Sequence, residues 1–465
     1  MPSLERFVSN TDRDVYAIYN LPEEVIAVVF AYVSRSPRTF RENLERLLAG
    51  DEAELAVTAT GVVAEQAAAT ASAFHERWVV GYGHASVAEH ATVHLGVERV
   101  SRLASAALEL ANPFLSFTEY SQRYQGPERG AYHRPELDPA EAALYDAAMD
   151  GFYDRYVAIR EAIVRHLARE GGLDLDDDKV RRRLERQAFE DARYALPLAT
   201  HTSLGVTGNA RALRDAIVVL RSSPHPEDVQ LGEAMLREGS LLVPTLLRHA
   251  DPSPAVRQRP LGGAPRHEST TPVRLVGTVP NGAALRRLAA ALRPGEDVDH
   301  RTDRELLAAV QSVTPFGPYD EPPAAYHMLS YDVQFDLSEA AWHQLLRHRR
   351  RMEFAWSEPG FTGGFVVPPL VAAAGAQGLL EAAAEDAQRA AQRLGMHHPA
   401  ARYLVLNAFR RSILATMDLA EVCHVIRQRG KPDAQWEIRQ AAGILHALVQ
   451  GVHPFAWLPE PEGGD

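Results

Sequence analysis

The sequence predicts an α/β chain built as two copies of one strand-and-helix plan, and three observations predict it. Val15-Tyr-Ala-Ile-Tyr-Asn-Leu-Pro22-Glu reads as a short strand followed by a Pro-started helix running through about Val33. Val273-Arg-Leu-Val-Gly-Thr-Val-Pro280-Asn repeats that plan, with an amphipathic segment from Ala283 to Leu292 behind it. Ala192-Arg-Tyr194 with Thr207 is echoed by Ala401-Arg-Tyr403 with Thr416 at the same interval. Between the copies, Asp251 to Arg266 is rich in Pro and Gly and has no periodicity, the mark of a linker. The expected organisation is a first copy over 1–250, a linker over 251–272 and a second copy over 273–465. A duplication joined near residue 260 is its simplest account.

Composition bounds the function. At 465 residues the chain is long enough for two or three domains with full cores. A hydrophobic content of 46% and a charged content of 24% are those of an ordinary globular protein. A net charge of -12 argues against a dedicated nucleic-acid binder but leaves room for a local basic pocket. The single cysteine, Cys423, allows no intramolecular disulfide and no Cys-based metal cluster, which fits a reducing compartment. The N-terminus shows no signal-peptide pattern, and the longest apolar run, Val25 to Val33, is too short to span a bilayer. A cytoplasmic protein with no membrane contact is expected. Lysine occurs only at Lys179 and Lys431, which removes a Walker-type phosphate loop and disfavours Schiff-base chemistry. Gly81-Tyr-Gly83-His-Ala-Ser86 comes nearest to a dinucleotide turn and lacks its third glycine.

Taken in order, the first copy offers Gly83-His84-Ala-Ser86-Val-Ala-Glu89-His90, then Gly96 to Arg102 as a helix, then Ser121-Gln-Arg123-Tyr124. In an extended segment Ser121 and Arg123 point the same way, so a hydroxyl and a guanidinium can converge on one phosphate. Read as i, i+4 on a helix, His90 and His94, with His84 and Glu89, suggest a metal site of another class, although the His-Glu-x-x-His spacing is absent. The stretch from Tyr145 to Lys179 is helical in pattern and ends in the acidic run Asp174 to Asp178, read as a solvated loop. Asn209 is a candidate N-cap for a helix burying Leu213, Ile217 and Leu220. Arg211 then sits in the first turn, where a cation is unfavourable unless an anion docks there.

In the second copy, Asp336 and Glu339 read as a capping box opening a helix through Met352. Trp342, Leu345, Leu346 and Arg349 form one face, and Gln344, Arg347 and His348 a neighbouring one. The helix end therefore carries several forked donors suited to phosphate or carboxylate.

Gln344-x-x-Arg347-His348-Arg349 resembles the Arg-His-Arg signature of the flavin-dependent thymidylate synthases. The blocks around His84, Ser121-Gln-Arg123-Tyr124 and Thr207-Gly-Asn209-Ala-Arg211 resemble that family in order and approximate spacing. The implied fold is α/β, each copy a small, mostly antiparallel sheet flanked by long helices. The resemblance implies FAD held by His84, Arg347, His348 and Arg349. It implies a nucleotide held by Gln344, Ser121, Arg123, Asn209 and Arg211, with Arg237 and Arg347 as catalytic groups. The family uses no metal on this helix. The implied reaction is reductive methylation at C5 of a pyrimidine nucleotide such as dUMP, with NADPH as reductant and methylenetetrahydrofolate as carbon donor.

The copies depart from the pattern in complementary ways. Copy one reads Glu109-Leu-Ala-Asn-Pro113 where Arg-His-Arg belongs; copy two has lost the Gly-His segment, reads Ser357-Glu-Pro-Gly360 for Ser-x-Arg-Tyr, and has Ala420 for Arg211. One composite site is therefore expected from Gln344, Arg347, His348 and Arg349 of copy two with His84, Ser121, Arg123, Arg211 and Arg237 of copy one. Its alternate should be dead. A homodimer would then mimic the family's tetramer. The competing reading is a decayed flavin- or nucleotide-binding homologue with a structural or regulatory role.

Overall fold

A computed structural model of the chain describes residues 4–12, 17–23, 25–27, 41–42, 44–45, 85–123, 125–257, 271–313, 315–317 and 319–461. Two compact units interleave the sequence copies. The first takes 1–98, 107–120 and 202–259; the second takes 99–106, 121–201 and 260–465.

The first unit carries most of a sheet of order β1-β3-β2, from Thr92–Ser101 (β1), Ser116–Glu119 (β2) and His201–Asn209 (β3). Strand β2 runs antiparallel to β3 with Ser116 opposite Thr207. A Cβ on Gly208 would fall 2.3 Å from Leu115 Cδ2, so a larger residue here would require the Leu115 side chain to move. Behind β3, Asn209 caps the helix Ala210–Arg221 by accepting from the Ala212 amide at 2.8 Å, and Leu213, Ile217 and Leu220 are buried as expected. The helix read over Gly96 to Arg102 is instead strand, and helix begins only at Arg102. Near the N-terminus Ile18 bridges Val8 and a helix has begun by Glu23; residues 28–33 of the expected helix lie outside those described.

The second unit carries a fully antiparallel sheet of order β4-β5-β7-β6, from Val273–Thr278, Ser330–Ser338, Arg410–Asp418 (β7) and Met352–Trp356 (β6). The strand and helix expected from Val273 are both present, the helix as Asn281–Leu292. The long helix Pro139–Gly171 starts on an Asp138–Glu141 capping box and stops at Gly172, whose φ of 57° lets its amide reach Ala168 and Arg169 carbonyls. Its Tyr145, Met149 and Phe152 pack with Ala383 and Ala387 of the helix Gln377–Leu394, small residues that admit the large rings. The acidic run is more than loop: Asp177 accepts from the Lys179 and Val180 amides and caps the helix Asp178–Ala192.

Within this unit the copies meet on a pseudo-twofold crossing at Pro197 and Leu406, which form an antiparallel bridge. The Leu198 amide donates to Val405 O at 2.8 Å, and the Asn407 amide donates to Leu196 O at 2.8 Å. Ala199 donates to Tyr403 O at 3.2 Å, and Ala408 to Tyr194 O at 3.0 Å. Each pair interchanges on adding 209 to the copy-one residue, the signature of an isologous contact, here folded into one chain.

The same accounting fixes register between the copies. The Ala104 amide donates to Ser101 Oγ, and the Ala341 amide to Ser338 Oγ, 237 residues on. The Tyr120 amide donates to Ser203 O, and the Ser357 amide to Ser412 O, again 237 on at the donor. Glu358 therefore stands at the place of Ser121, and Gly360 at that of Arg123, one residue away from the motif alignment. Strand β5 also overrides the expected Asp336–Glu339 box. Asp336 lies in the strand, opposite Ser412, and Ser338 caps a short helix, Glu339–Leu345, followed by a 3-10 turn at Leu346–His348.

Candidate anion and cofactor site

The short helix and its 3-10 turn aim the Arg-His-Arg residues, and a buried network holds the turn. His348 is buried, with Nδ1 2.7 Å from Glu421 Oε1, while the Arg429 Nε–H donates to His348 Nε2 at 2.9 Å. The Nε2 lone pair is thus taken by Arg429, which puts the imidazole proton on Nδ1, facing Glu421. Burial and the Arg429 charge hold the imidazole well below its ordinary pKa, so it is neutral. Burial pushes the Glu421 carboxyl up to about 7 and draws the Arg429 guanidinium down to about 10, helped by Arg347 and Arg123. Ligand atoms of His348, Glu421 and His424 lie within 4.8 Å of one another, a spacing compatible with a metal. With both His348 nitrogens engaged and Arg429 alongside, the arrangement reads as a hydrogen-bonded relay locking the turn.

Around that turn the second unit gathers arginines. Arg193, 3% exposed, donates from Nε to Glu190 O at 3.1 Å, and its Nη2 is buried with no hydrogen-bond partner. Burial lowers its pKa, and both Arg102 and Arg123 lie close enough to lower it further. Arg123 donates to Glu190 Oε2 and to Asp433 O, both at 2.6 Å, and so ties the Ser121–Arg123 segment to the loop after Arg429. Arg347, half-buried, donates to His343 O at 3.4 Å. Buried His343 is held neutral by desolvation and by Arg102, Arg347, Arg411 and Arg193. Beneath, the Asn407 amide nitrogen donates to Arg193 O at 2.9 Å and to Gln122 Oε1 at 3.4 Å, and Gln122 Nε2 is enclosed without a partner. Burying like charges together is costly unless an anion enters, and forked guanidinium groups match phosphate oxygens.

Of the residues expected at the site, Ser121, Arg123, Gln344, Arg347, His348 and Arg349 fall in this unit. Gln344 and Arg349 are half-buried on either side of Arg347. His84 lies outside the described residues. Asn209, Arg211 and Arg237 belong to the first unit. There Arg211 pairs with Glu89 at 2.6 Å, which supplies the anion its first-turn position calls for, and Arg237 is exposed and pairs with Glu238 at 2.8 Å. The alternative metal reading fails on geometry, because His94 lies on a strand, with Nδ1 2.9 Å from Thr207 Oγ1, and shares no helix face with His90. Sequence reasoning missed Arg193, Arg102 and Arg429. Arg193 stood inside the Ala-Arg-Tyr echo but served only as evidence of repetition; nothing in a linear pattern shows which arginines will be buried beside one another.

The profile of the family described as "Thymidylate synthase complementing protein" matches residues 19–245 and 322–455, one segment in each sequence copy. A UPF0159 protein of Thermoplasma acidophilum is 24% identical over 437 residues, 82% of this chain and 86% of that protein. A flavin-dependent thymidylate synthase of Mycolicibacterium gilvum is 34% identical over 159 residues, which cover 34% of this chain and 60% of that protein. Among solved structures, a UMP/dUMP methylase from Streptomyces cacaoi bound with 5-Br dUMP aligns over 39% of this chain and 91% of its own, at 19% identity and a TM-score of 0.32.

Proposed function

The chain belongs to the thymidylate synthase complementing protein family, and from that premise we propose that it is an FAD-dependent, thymidylate synthase-like enzyme. The proposed reaction is methylation at C5 of dUMP, with methylenetetrahydrofolate giving the carbon and NADPH the reducing equivalents. The single observation that carries the reading is the arginine cluster around buried Arg193. Arg123 and Arg193 come from copy one and Arg347 and Arg429 from copy two, with a guanidinium nitrogen of Arg193 left unsatisfied. A nucleotide phosphate would neutralise that cluster and satisfy its donors.

The residues fit a flavin as well as a nucleotide. Arg347 within the 3-10 turn and Arg349 just after it would offer guanidinium groups to a pyrophosphate, while His348, with both ring nitrogens engaged, acts as a positioning residue for them. Bound there, the flavin would carry hydride between reductant and substrate. The protein's own part is positional and electrostatic. Arg193, Arg123 and Ser121 would seat the phosphate, and Arg347 and Arg429 would favour negative charge developing on the pyrimidine ring. Neutral His343 adds no further positive charge to repel the arginines. No nucleophilic side chain is required, which agrees with a lone cysteine, Cys423, that is buried and whose thiol burial pushes up to about 12. For His84, Asn209, Arg211 and Arg237 the proposed roles rest on motif resemblance alone. We assign the protein to the cytoplasm and to a homodimer on the same footing. Among the described residues no helix is long and apolar enough to cross a membrane.

Incubation with excess FAD followed by desalting tests the reading. Retained flavin absorbance, dUMP-dependent NADPH oxidation, and loss of both in Arg347→Ala are expected. A protein that binds dUMP but neither retains flavin nor oxidises NADPH would favour the decayed, nucleotide-binding alternative.

A further inference from the structure

The second copy contains the counterpart of the copy-one arginine cluster, with carboxylates brought in beside its cations. By the backbone register, Glu339 stands where Arg102 stands, Glu358 where Ser121 stands and Gly360 where Arg123 stands. Across the pseudo-twofold crossing, Arg402 is the counterpart of Arg193. The one cation common to both places has thus lost both arginine neighbours, one to glutamate and one to glycine, and gained a second carboxylate where copy one has serine. Glu358 Oε2 lies 3.5 Å from Arg402 Nη2. Buried Glu339 accepts from Arg411 Nε at 2.9 and 3.1 Å, and Arg411 also donates to Ser357 O at 3.1 Å. Arg402 Nε is buried and has no hydrogen-bond partner. The space is not filled: a cavity of about 1000 Å³ opens here, lined among others by Ser357, Glu358, Arg410, Arg411 and Ser412.

We propose that Glu358 is an internal anion that occupies the place of a ligand's phosphate and closes a second anion site in copy two, so that each chain takes up one nucleotide instead of two. A carboxylate fixed on the chain satisfies Arg402 at high effective concentration and excludes a diffusing anion by like charge. Glu339 does the same for Arg411 from the buried side. Copy one has serine at the matching place, so no carboxylate from that position competes with an external ligand for Arg193. Identifying that ligand as a nucleotide rests on the function proposed above; the closure by Glu358 rests on the register and the ion pair.

Equilibrium dialysis of the full chain against dUMP, and separately against inorganic phosphate, tests the closure in wild type, Glu358→Ser and Glu358→Gln. Glu358 is half-exposed, so neither change empties a core position. Glu358→Ser, which installs the copy-one residue, should gain one anion site per chain over wild type, and Glu358→Gln should gain it with lower affinity. Wild type already binding two anions per chain, or no gain in either variant, would overturn the proposal. The outcomes separate the two readings. No wild-type dUMP site with one gained in Glu358→Ser would uphold the closure and reject the nucleotide reading of the copy-one cluster. One site in wild type and still one in both variants would do the reverse.

Discussion

Glu421 shows how a single side chain couples the site to pH. Its carboxyl is raised to about 7 chiefly by burial, well above its range in an unfolded chain. The folded state therefore favours the protonated form. The stability this group contributes is fully present below about pH 4.3 and is lost as pH rises through about 7. His348 runs the other way, since its depressed pKa contributes stability above about pH 6.5 that is lost on acidification. Glu421→Gln isolates the carboxyl. Its melting temperature relative to wild type should climb steadily between about pH 4.5 and 7.5, because only the wild type must ionise a buried acid over that window. A constant difference across the range would show that Glu421 is not titrating there. Arg193 illustrates the limit of reading residues one at a time. Its tripeptide was visible in the sequence, yet what sets it apart is a buried, unsatisfied Nη2 among other cations, which follows from three-dimensional neighbours.

At the scale of elements, local rules worked where tertiary pairing did not compete. Asn209 caps its helix, and the apolar stripe at Leu213, Ile217 and Leu220 is buried. The strand from Val273 and the helix behind it were both legible from alternation and a proline. The Asp336–Glu339 box was not, because β5 pairs with β7 along its whole length and keeps residues 336–338 extended. That competition shortens the signature helix to Glu339–Leu345 and hands the cap to Ser338. Ser338 does more than cap: its Oγ also donates to buried Glu437, and its amide donates to the same carboxylate at 2.9 Å. Ser338→Ala should therefore cost more than an ordinary cap. About 1 kcal/mol for the cap and a further 1–3 kcal/mol for the carboxylate left short of a donor are expected from denaturant unfolding. A loss below about 0.5 kcal/mol would mean that neither bond matters. Likewise, alternate polar residues from Thr92 to Ser101 mark a strand, which is why the helical histidine pair never forms.

For the whole molecule, duplication is the organising fact, and it was legible as faint echoes whose meaning required coordinates. The Ala-Arg-Tyr repeat lies beside the pseudo-twofold crossing, where each hydrogen bond has its counterpart 209 residues on. What the sequence could not show is that the compact units cut across the copies, placing residues 99–106 and 121–201 of copy one with all of copy two. That interleaving lets one chain bring Arg123 and Arg193 to Arg347 and Arg429. Once the two halves of a site lie in one chain, each copy is free to lose the half it no longer uses. Copy one reads Glu109-Leu-Ala-Asn-Pro113 where Arg-His-Arg belongs, and copy two has Glu358 and Gly360 where copy one has Ser121 and Arg123.

The central claim is that both copies serve a single nucleotide site, and two arginine variants test it most directly. Titration calorimetry with dUMP would compare the number of sites per chain in wild type, Arg193→Ala and Arg347→Ala. If copy one's Arg193 and copy two's Arg347 share a ligand, each change alone weakens all dUMP binding, by about 10- to 100-fold for a lost charged hydrogen bond. No second class of sites then survives in either variant. A variant that keeps a full-affinity site after losing either arginine would contradict the account, because each copy would then be binding on its own.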